Sequence, residues 1–234
     1  MADRKETCNK MHITNGKLIK STEFRPVVKI KVTNRLAAIN CTGTFVNPRT
    51  VLTAAHCLIN SPSKVEVSYK GKTYVVDHFE EHPIWKDQGR NKINSDIALL
   101  NFKEDVSSDT YQICNFQPEI EMNALIVGMG LTHAESNNNW DKKIRKGYIQ
   151  IDNINEGNGT IINLGQVETT TADGTKAGTS AGDSGGPLLI TQDNNNYCVM
   201  AITRSGYVKD NTNVSIYENL KLFKASSPHY VKVQ

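Results

Sequence analysis

A serine set among glycines stands in the last third of this chain, in Gly182-Asp183-Ser184-Gly185-Gly186-Pro187. A histidine stands far upstream in Thr53-Ala54-Ala55-His56-Cys57, and an aspartate lies between them in Asn94-Ser95-Asp96-Ile97-Ala98-Leu99-Leu100. These residue types suit nucleophilic catalysis. A serine hydroxyl is a weak nucleophile at neutral pH, so a neighbouring base must take its proton as it attacks. His56 is the candidate base, because unperturbed imidazole titrates near neutrality. Taken singly, the residues read as readily as a core histidine, a turn-capping aspartate and a turn serine. The three blocks in the order His, Asp, Ser carry the catalytic reading.

With these blocks in this order, nearly the whole chain resembles the chymotrypsin/trypsin serine peptidases. The resemblance implies peptide-bond hydrolysis through an acyl-enzyme, with no metal or organic cofactor. Asp96 would hold His56 in the working tautomer and stabilise its imidazolium. Backbone N–H groups of Gly182 and Ser184 would form the oxyanion hole, one such donor being worth roughly 2.7–4 kcal/mol. A side chain at 182 would crowd the substrate carbonyl. The fold implied is all-β: two antiparallel Greek-key β-barrels with the active site in the cleft between them. A propeptide-like segment would cover 1–12, the first barrel 13–112 and the second 113–234. His56 and Asp96 would come from the first barrel and Ser184 from the second.

The resemblance also implies a disulfide between Cys41 and Cys57 that anchors the histidine loop. The chain has five cysteines, so one is left over. Cys8 and Cys114 loosely match a bond tethering a propeptide to the inter-barrel segment. Cys198, in the apolar run Tyr197–Ile202, then reads as a buried free thiol. Ile13-Thr14-Asn15-Gly16 fits a mature terminus whose freed amine pairs with Asp183. His12 precedes it where a basic residue is usual, so two readings stand: a zymogen cut by something other than a trypsin, or a plain first strand and turn.

For substrate binding, counting back from Ser184 puts Gly178 and then Thr179 at the base of the specificity pocket. Arg204, Ser205 and Gly206 form its far wall, with Ser215 nearby. No carboxylate stands at the base, so trypsin-like specificity is not expected, and a neutral or small residue before the scissile bond is. Arg204 falls where the family usually has a serine supporting the aspartate. With Thr179 it could instead favour an acidic substrate residue, or its head group could simply reach solvent. A catalytically silent homologue that binds proteins is the alternative function.

The elements that must position these residues read as strands. Val27–Val32, Lys64–Tyr69, Thr73–Val76, Ala124–Val127, Gly147–Ile151 and Val199–Thr203 are short runs rich in Val, Ile, Thr and Tyr, separated by Asn, Gly, Asp and Ser. Lys103–Glu121 reads as the inter-barrel connection. Asn137–Asn139 and Asn194–Asn196 read as loop tips, and Pro228 limits any final helix to a short one. Asn158-Gly159-Thr160 and Asn213-Val214-Ser215 fit the glycosylation pattern. His78-Phe79-Glu80-Glu81-His82 matches a zinc-peptidase pattern, but the strand-like residues before it and Pro83 after it argue for strand and turn.

The 234 residues suffice for one large domain or two of roughly 100–150 each. Hydrophobic content of 38% with 22% charge suits a globular protein, and no stretch approaches the roughly 20 apolar residues of a membrane helix. Net charge is +3 with scattered lysines, which does not suggest nucleic-acid binding. Residues 1–12 lack the apolar core of a signal peptide, while cysteine usage leans toward export, to a secreted or periplasmic location. The expected partners are a protein or peptide substrate and a protein inhibitor, with no membrane, and the chain is expected to be a monomer.

Overall fold

Val28, Ile30 and Val32 turn inward along one strand while Lys31 between them faces water. This alternation of period two recurs in Lys64–Tyr69, whereas Thr50–Thr53 and Ala98–Asn101 are buried throughout. A computed structural model of the chain describes residues 17–20, 22–35, 37–58, 62–88, 95–130, 143–151, 153–155, 161–164, 179, 181–192, 196–207 and 210–215. Cys8, Ile13, Gly178, Asn137–Asn139, Asn158 and Pro228 lie outside them.

In chain order the first half contributes β1 (Lys17–Leu18), β2 (Val27–Thr33), β3 (Ala38–Asn47), β4 (Thr50–Thr53), β5 (Lys64–Tyr69), β6 (Lys72–Val75), β7 (His78–Glu81) and β8 (Ala98–Asn101). A short helix, α1 (Pro83–Gln88), follows β7. The second half contributes β9 (Gln112–Ile113), β10 (Asn123–Gly128), β11 (Arg145–Gln150), β12 (Asn153–Asn155), β13 (Ile161–Leu164), β14 (Pro187–Thr191), β15 (Tyr197–Tyr207) and β16 (Asp210–Ser215).

The first sheet runs β6-β5-β2-β3-β4-β8-β7, all antiparallel. Its two edge strands, β6 and β7, are consecutive in sequence and joined by Val76 and Asp77. Val76 N–H donates to Val65 O on one side, and Asp77 N–H to Asn101 O on the other. Two residues therefore bridge opposite edges, so the sheet curls back on itself as a barrel. Phe45 fills it, its ring 5.2 Å from that of Tyr69 and 6.1 Å from that of Phe102.

The second sheet runs β1-β11-β10-β14-β15-β16-β13-β12. β11 alternates, but β10 and β14 are buried almost continuously, because they have apolar neighbours on both faces. Ala124 and Ile126 of β10, Leu188 and Ile190 of β14, and Met200 of β15 pack in the second barrel's own core. Leu125, Val127, Leu189, Val199 and Ile202 of the same strands join the core shared with the first barrel. This shared apolar layer fixes the two barrels against each other.

The segment between the barrels is not plain connection. β9 pairs with β15 in parallel, Gln112 opposite Cys198 and Ile113 opposite Val199. Cys114, the next residue, is disulfide-bonded to Cys198. This corrects the expected Cys8–Cys114 bond and the free thiol at Cys198, since the parallel register sets the two buried sulfurs side by side. Replacing Cys114 and Cys198 together by serine should lower stability by about 2–4 kcal/mol. The urea midpoint of unfolding reads it, and an unmoved midpoint would show the bond to be dispensable. β1 belongs to the second sheet, pairing Lys17 with Lys146 and Leu18 with Arg145, although the residues that follow it build the first barrel.

Nearer the start of the connection, Tyr69 OH donates to Asp109 at 2.5 Å and Lys70 Nζ lies 2.7 Å from the same oxygen. These two partners, Lys70 first, hold the Asp109 carboxyl below its usual range. The group is exposed enough for solvent to screen most of that interaction.

Candidate active site

β4 and β8 pair antiparallel with Thr53 opposite Ala98. The chain leaves β4 where it enters β8, so residues just after Thr53 and just before Ala98 meet at one end of the barrel. After Thr53 the chain turns into a single 3-10 turn, Ala55–Leu58, which carries His56. Cys57 in that turn is disulfide-bonded to Cys41 of β3, as the resemblance implied. Asp96 precedes β8.

His56 and Asp96 meet through two hydrogen bonds. The His56 backbone N–H donates to Asp96 Oδ1 at 2.7 Å, and ring Nδ1 lies 2.7 Å from Oδ2. A carboxylate only accepts, so Nδ1 carries the hydrogen and Nε2 is left as the basic nitrogen. Asp96 is 0% exposed, whereas the His56 side chain is 29% exposed. The carboxylate is sealed beneath a ring whose other edge reaches the surface.

Ser184 sits on a turn between the barrels. Within the turn Gly186 N–H donates to Asp183 O, and β15 grips it through Gly185 N–H to Thr203 O and Thr203 N–H to Gly186 O, both 2.7 Å. From the first barrel, Thr42 N–H donates to Ser184 O at 2.9 Å and Thr42 Oγ1 to Gly182 O at 2.8 Å. Thr42 Oγ1 also accepts from Met129 N–H at 3.1 Å. Sγ of Cys57, the neighbour of His56, lies 3.9 Å from the Ser184 carbonyl oxygen.

Glycine is required at 185. Its φ is +80°, and a Cβ there would overlap Thr53 Oγ1 and Thr42 O and lie 2.9 Å from Ala54 N. Behind the turn, buried Asp183 accepts from Gly130 N–H at 2.7 Å. A Cβ at Gly128 would overlap that carboxylate.

Of the residues expected at the pocket, Thr179 is buried, and Ser205 and Gly206 pair with Thr212 and Asn211 of β16. Ser215 lies opposite Ala201 at the other end of that ladder. The Arg204 head does not simply run out to solvent: its Nε lies 3.4 Å from Asp96 Oδ2. The sequence reading did not single out Thr42. Its position directly after Cys41 was the one available signal, and a threonine within a strand has no chemical signature. His78 and Glu81 bound a strand rather than a helical turn. Extended chain sets His78 and His82 ~13 Å apart along it, and His82 Nδ1 accepts from Ile84 N–H.

Two antiparallel barrels with a buried aspartate under a histidine at their seam define the class: a chymotrypsin-type two-barrel fold. The trypsin family model matches residues 13–225, and the chain belongs to the trypsin family. It is 25% identical over 206 residues to melanization protease 1 of Drosophila melanogaster, covering 71% of this chain and 51% of that protein. It is 25% identical over 171 residues to a trypsin of Simulium vittatum, covering 64% of this chain and 66% of the relative. The chain thus spans about half the length of the first relative and just under two thirds of the second. Among solved structures it shares its fold with neuropsin, a serine protease expressed in the limbic system of mouse brain. That match has a TM-score of 0.67 at 20% identity and covers 91% of this chain and 98% of the other.

Proposed function

We propose that the chain is an exported serine endopeptidase. The observation that carries the reading is the doubly bonded His56–Asp96 pair, buried on its aspartate side and packed beside the glycine-bound Ser184 turn in a trypsin-family chain. His56 Nε2 takes the Ser184 Oγ proton as Oγ bonds to the scissile carbonyl carbon. The carbonyl oxygen becomes an oxyanion, held by the N–H groups of Gly182 and Ser184. Collapse breaks the C–N bond, and His56 returns the proton to the leaving amine. Water then repeats the sequence on the acyl-enzyme, while Asp96 stays ionised throughout.

The enzyme is made as a zymogen. A cut at His12–Ile13 frees an amine that pairs with Asp183, a buried carboxylate on the serine turn. With Gly178 and Thr179 at the pocket base and no carboxylate there, the enzyme prefers a neutral or small residue before the scissile bond. Two disulfides suit an oxidising compartment.

Intact mass after incubation with a fluorophosphonate probe tests the activity. An adduct on chains beginning at Ile13, absent from Ser184→Ala, is expected. An adduct on chains beginning at Met1 would overturn the zymogen but not the hydrolase. No adduct on chains beginning at Ile13 would leave the silent, protein-binding homologue. Cleavage of a peptide library only after Glu or Asp would reject the neutral pocket.

A further inference from the structure

A groove of about 910 Å³ lies where the two barrels meet, and none of its lining residues is one placed in the reaction above. One wall is β2 with the β5–β6 turn; the other is β1, with Met129 after β10 and Ile144 before β11. The β5–β6 turn is the two-residue Lys70-Gly71, since Tyr69 pairs with Lys72. Both residues have positive φ, 46° and 77°, as in the tight turns that match strand twist. Lys70 therefore has a fixed place on the rim.

The floor is apolar. Ile19, Phe24, Val28 and Ile144 line it as buried side chains, and Met129 lines it half-buried. Leu18, at the lip, is 51% exposed. Phe24 holds a φ of +38°, rare for a bulky residue, and such backbone strain gathers at ligand clamps. The Met129 wall is braced on the same threonine as the serine turn: Met129 N–H donates to Thr42 Oγ1, which donates to Gly182 O.

The rim is basic. Arg25, Lys29, Lys70 and Lys143 line the groove, and among the described lining residues there is no carboxylate. Arg25 and Lys70 reach the same acid, Asp109, at 3.9 and 2.7 Å, so two cations share one negative charge. Lys29 stands opposite Ser68 in the β2–β5 ladder, and Lys70 follows two residues on.

We propose that this groove is a docking site for an acidic peptide segment with apolar side chains, carried by a partner protein. The cationic rim selects the acidic segment by charge complementarity. The floor takes leucine or phenylalanine anchors from the same segment. A sulfated polysaccharide would satisfy the rim but leave the floor empty.

Isothermal titration tests this with a short synthetic peptide of glutamates interspersed with leucine and phenylalanine. The Ser184→Ala chain is used so that the peptide stays intact. Binding is expected, weakening as salt is added. The double variant Lys29→Gln, Lys143→Gln should weaken it by about tenfold. The double variant Lys64→Gln, Lys103→Gln, which removes as much charge away from the groove, should leave it unchanged. Thermal melts check that both variants fold. Replacing the peptide's leucine and phenylalanine by serine tests the floor without touching the protein and should abolish binding. No binding of the first peptide, or equal losses in the two double variants, would overturn the proposal. A serine peptide that binds as well as the first, with a heparin fragment competing, would make the groove a general polyanion surface and overturn it too.

Discussion

Asp96→Asn should lower kcat by about 10⁴ while leaving the fold in place. Oδ1 accepts the His56 backbone N–H and Oδ2 the ring N–H, so the carboxylate dictates which ring nitrogen is protonated. An amide has one acceptor and one NH₂ group. With its oxygen kept on the backbone N–H, the NH₂ group faces Nδ1 and turns it into an acceptor. The hydrogen then moves to Nε2, the atom that must accept the Ser184 proton, and the base is lost. The NH₂ group also faces the buried Arg204 Nε, so a loss of stability should accompany the loss of rate. Steady-state kinetics on a chromogenic ester, with a thermal melt alongside, separate the two. A loss smaller than about tenfold would show that His56 does not depend on Asp96 for its tautomer.

Gly185→Ala should cost more stability than any surface substitution, about 3 kcal/mol or more, and should abolish labelling of Ser184. Two penalties coincide there. The φ of +80° is strained for any side chain, and the new methyl would enter the Thr42 carbonyl and the Thr53 hydroxyl. The hydroxyl could be removed, but the carbonyl is backbone at the centre of a sheet and cannot move aside. Thr53→Ala should therefore fail to rescue Gly185→Ala in a double-mutant comparison. Urea unfolding gives the stability readout. An unchanged midpoint would mean that the serine turn does not rest against β4.

What could be read from the sequence follows from where chemistry restricts residue type. Ser184, His56 and Asp96 were legible as candidates because few residues can serve as nucleophile, base and orienting acid, and their glycine and cysteine neighbours are unusual. β2 and β5 were legible because one face of each meets water, which leaves alternation in the sequence. The Tyr197–Ile202 run had no such pattern, since β15 packs between two apolar layers. Its strand character showed only in its apolar residues. The Cys114–Cys198 bond depends on a parallel register between segments remote in sequence, and no spacing rule encodes that. Arg204 was visible as an oddity, but its direction comes from a bulge between Thr203 and Ser205, a property of the ladder rather than of the residue.

Thr42 has a consequence for synthesis. One residue of β3 holds the carbonyls of both Gly182 and Ser184, and Thr203 fastens the same turn from the other side. A nascent chain that has emerged as far as Asp96 carries the proposed base and its partner but not the proposed nucleophile. A chain that has just released Ser184 still lacks the strand that braces it. The serine turn is braced from both sides only once translation has passed Thr203 and the two halves have docked, so on the proposed function a partly made chain has no working blade with which to cut itself or its neighbours on the ribosome.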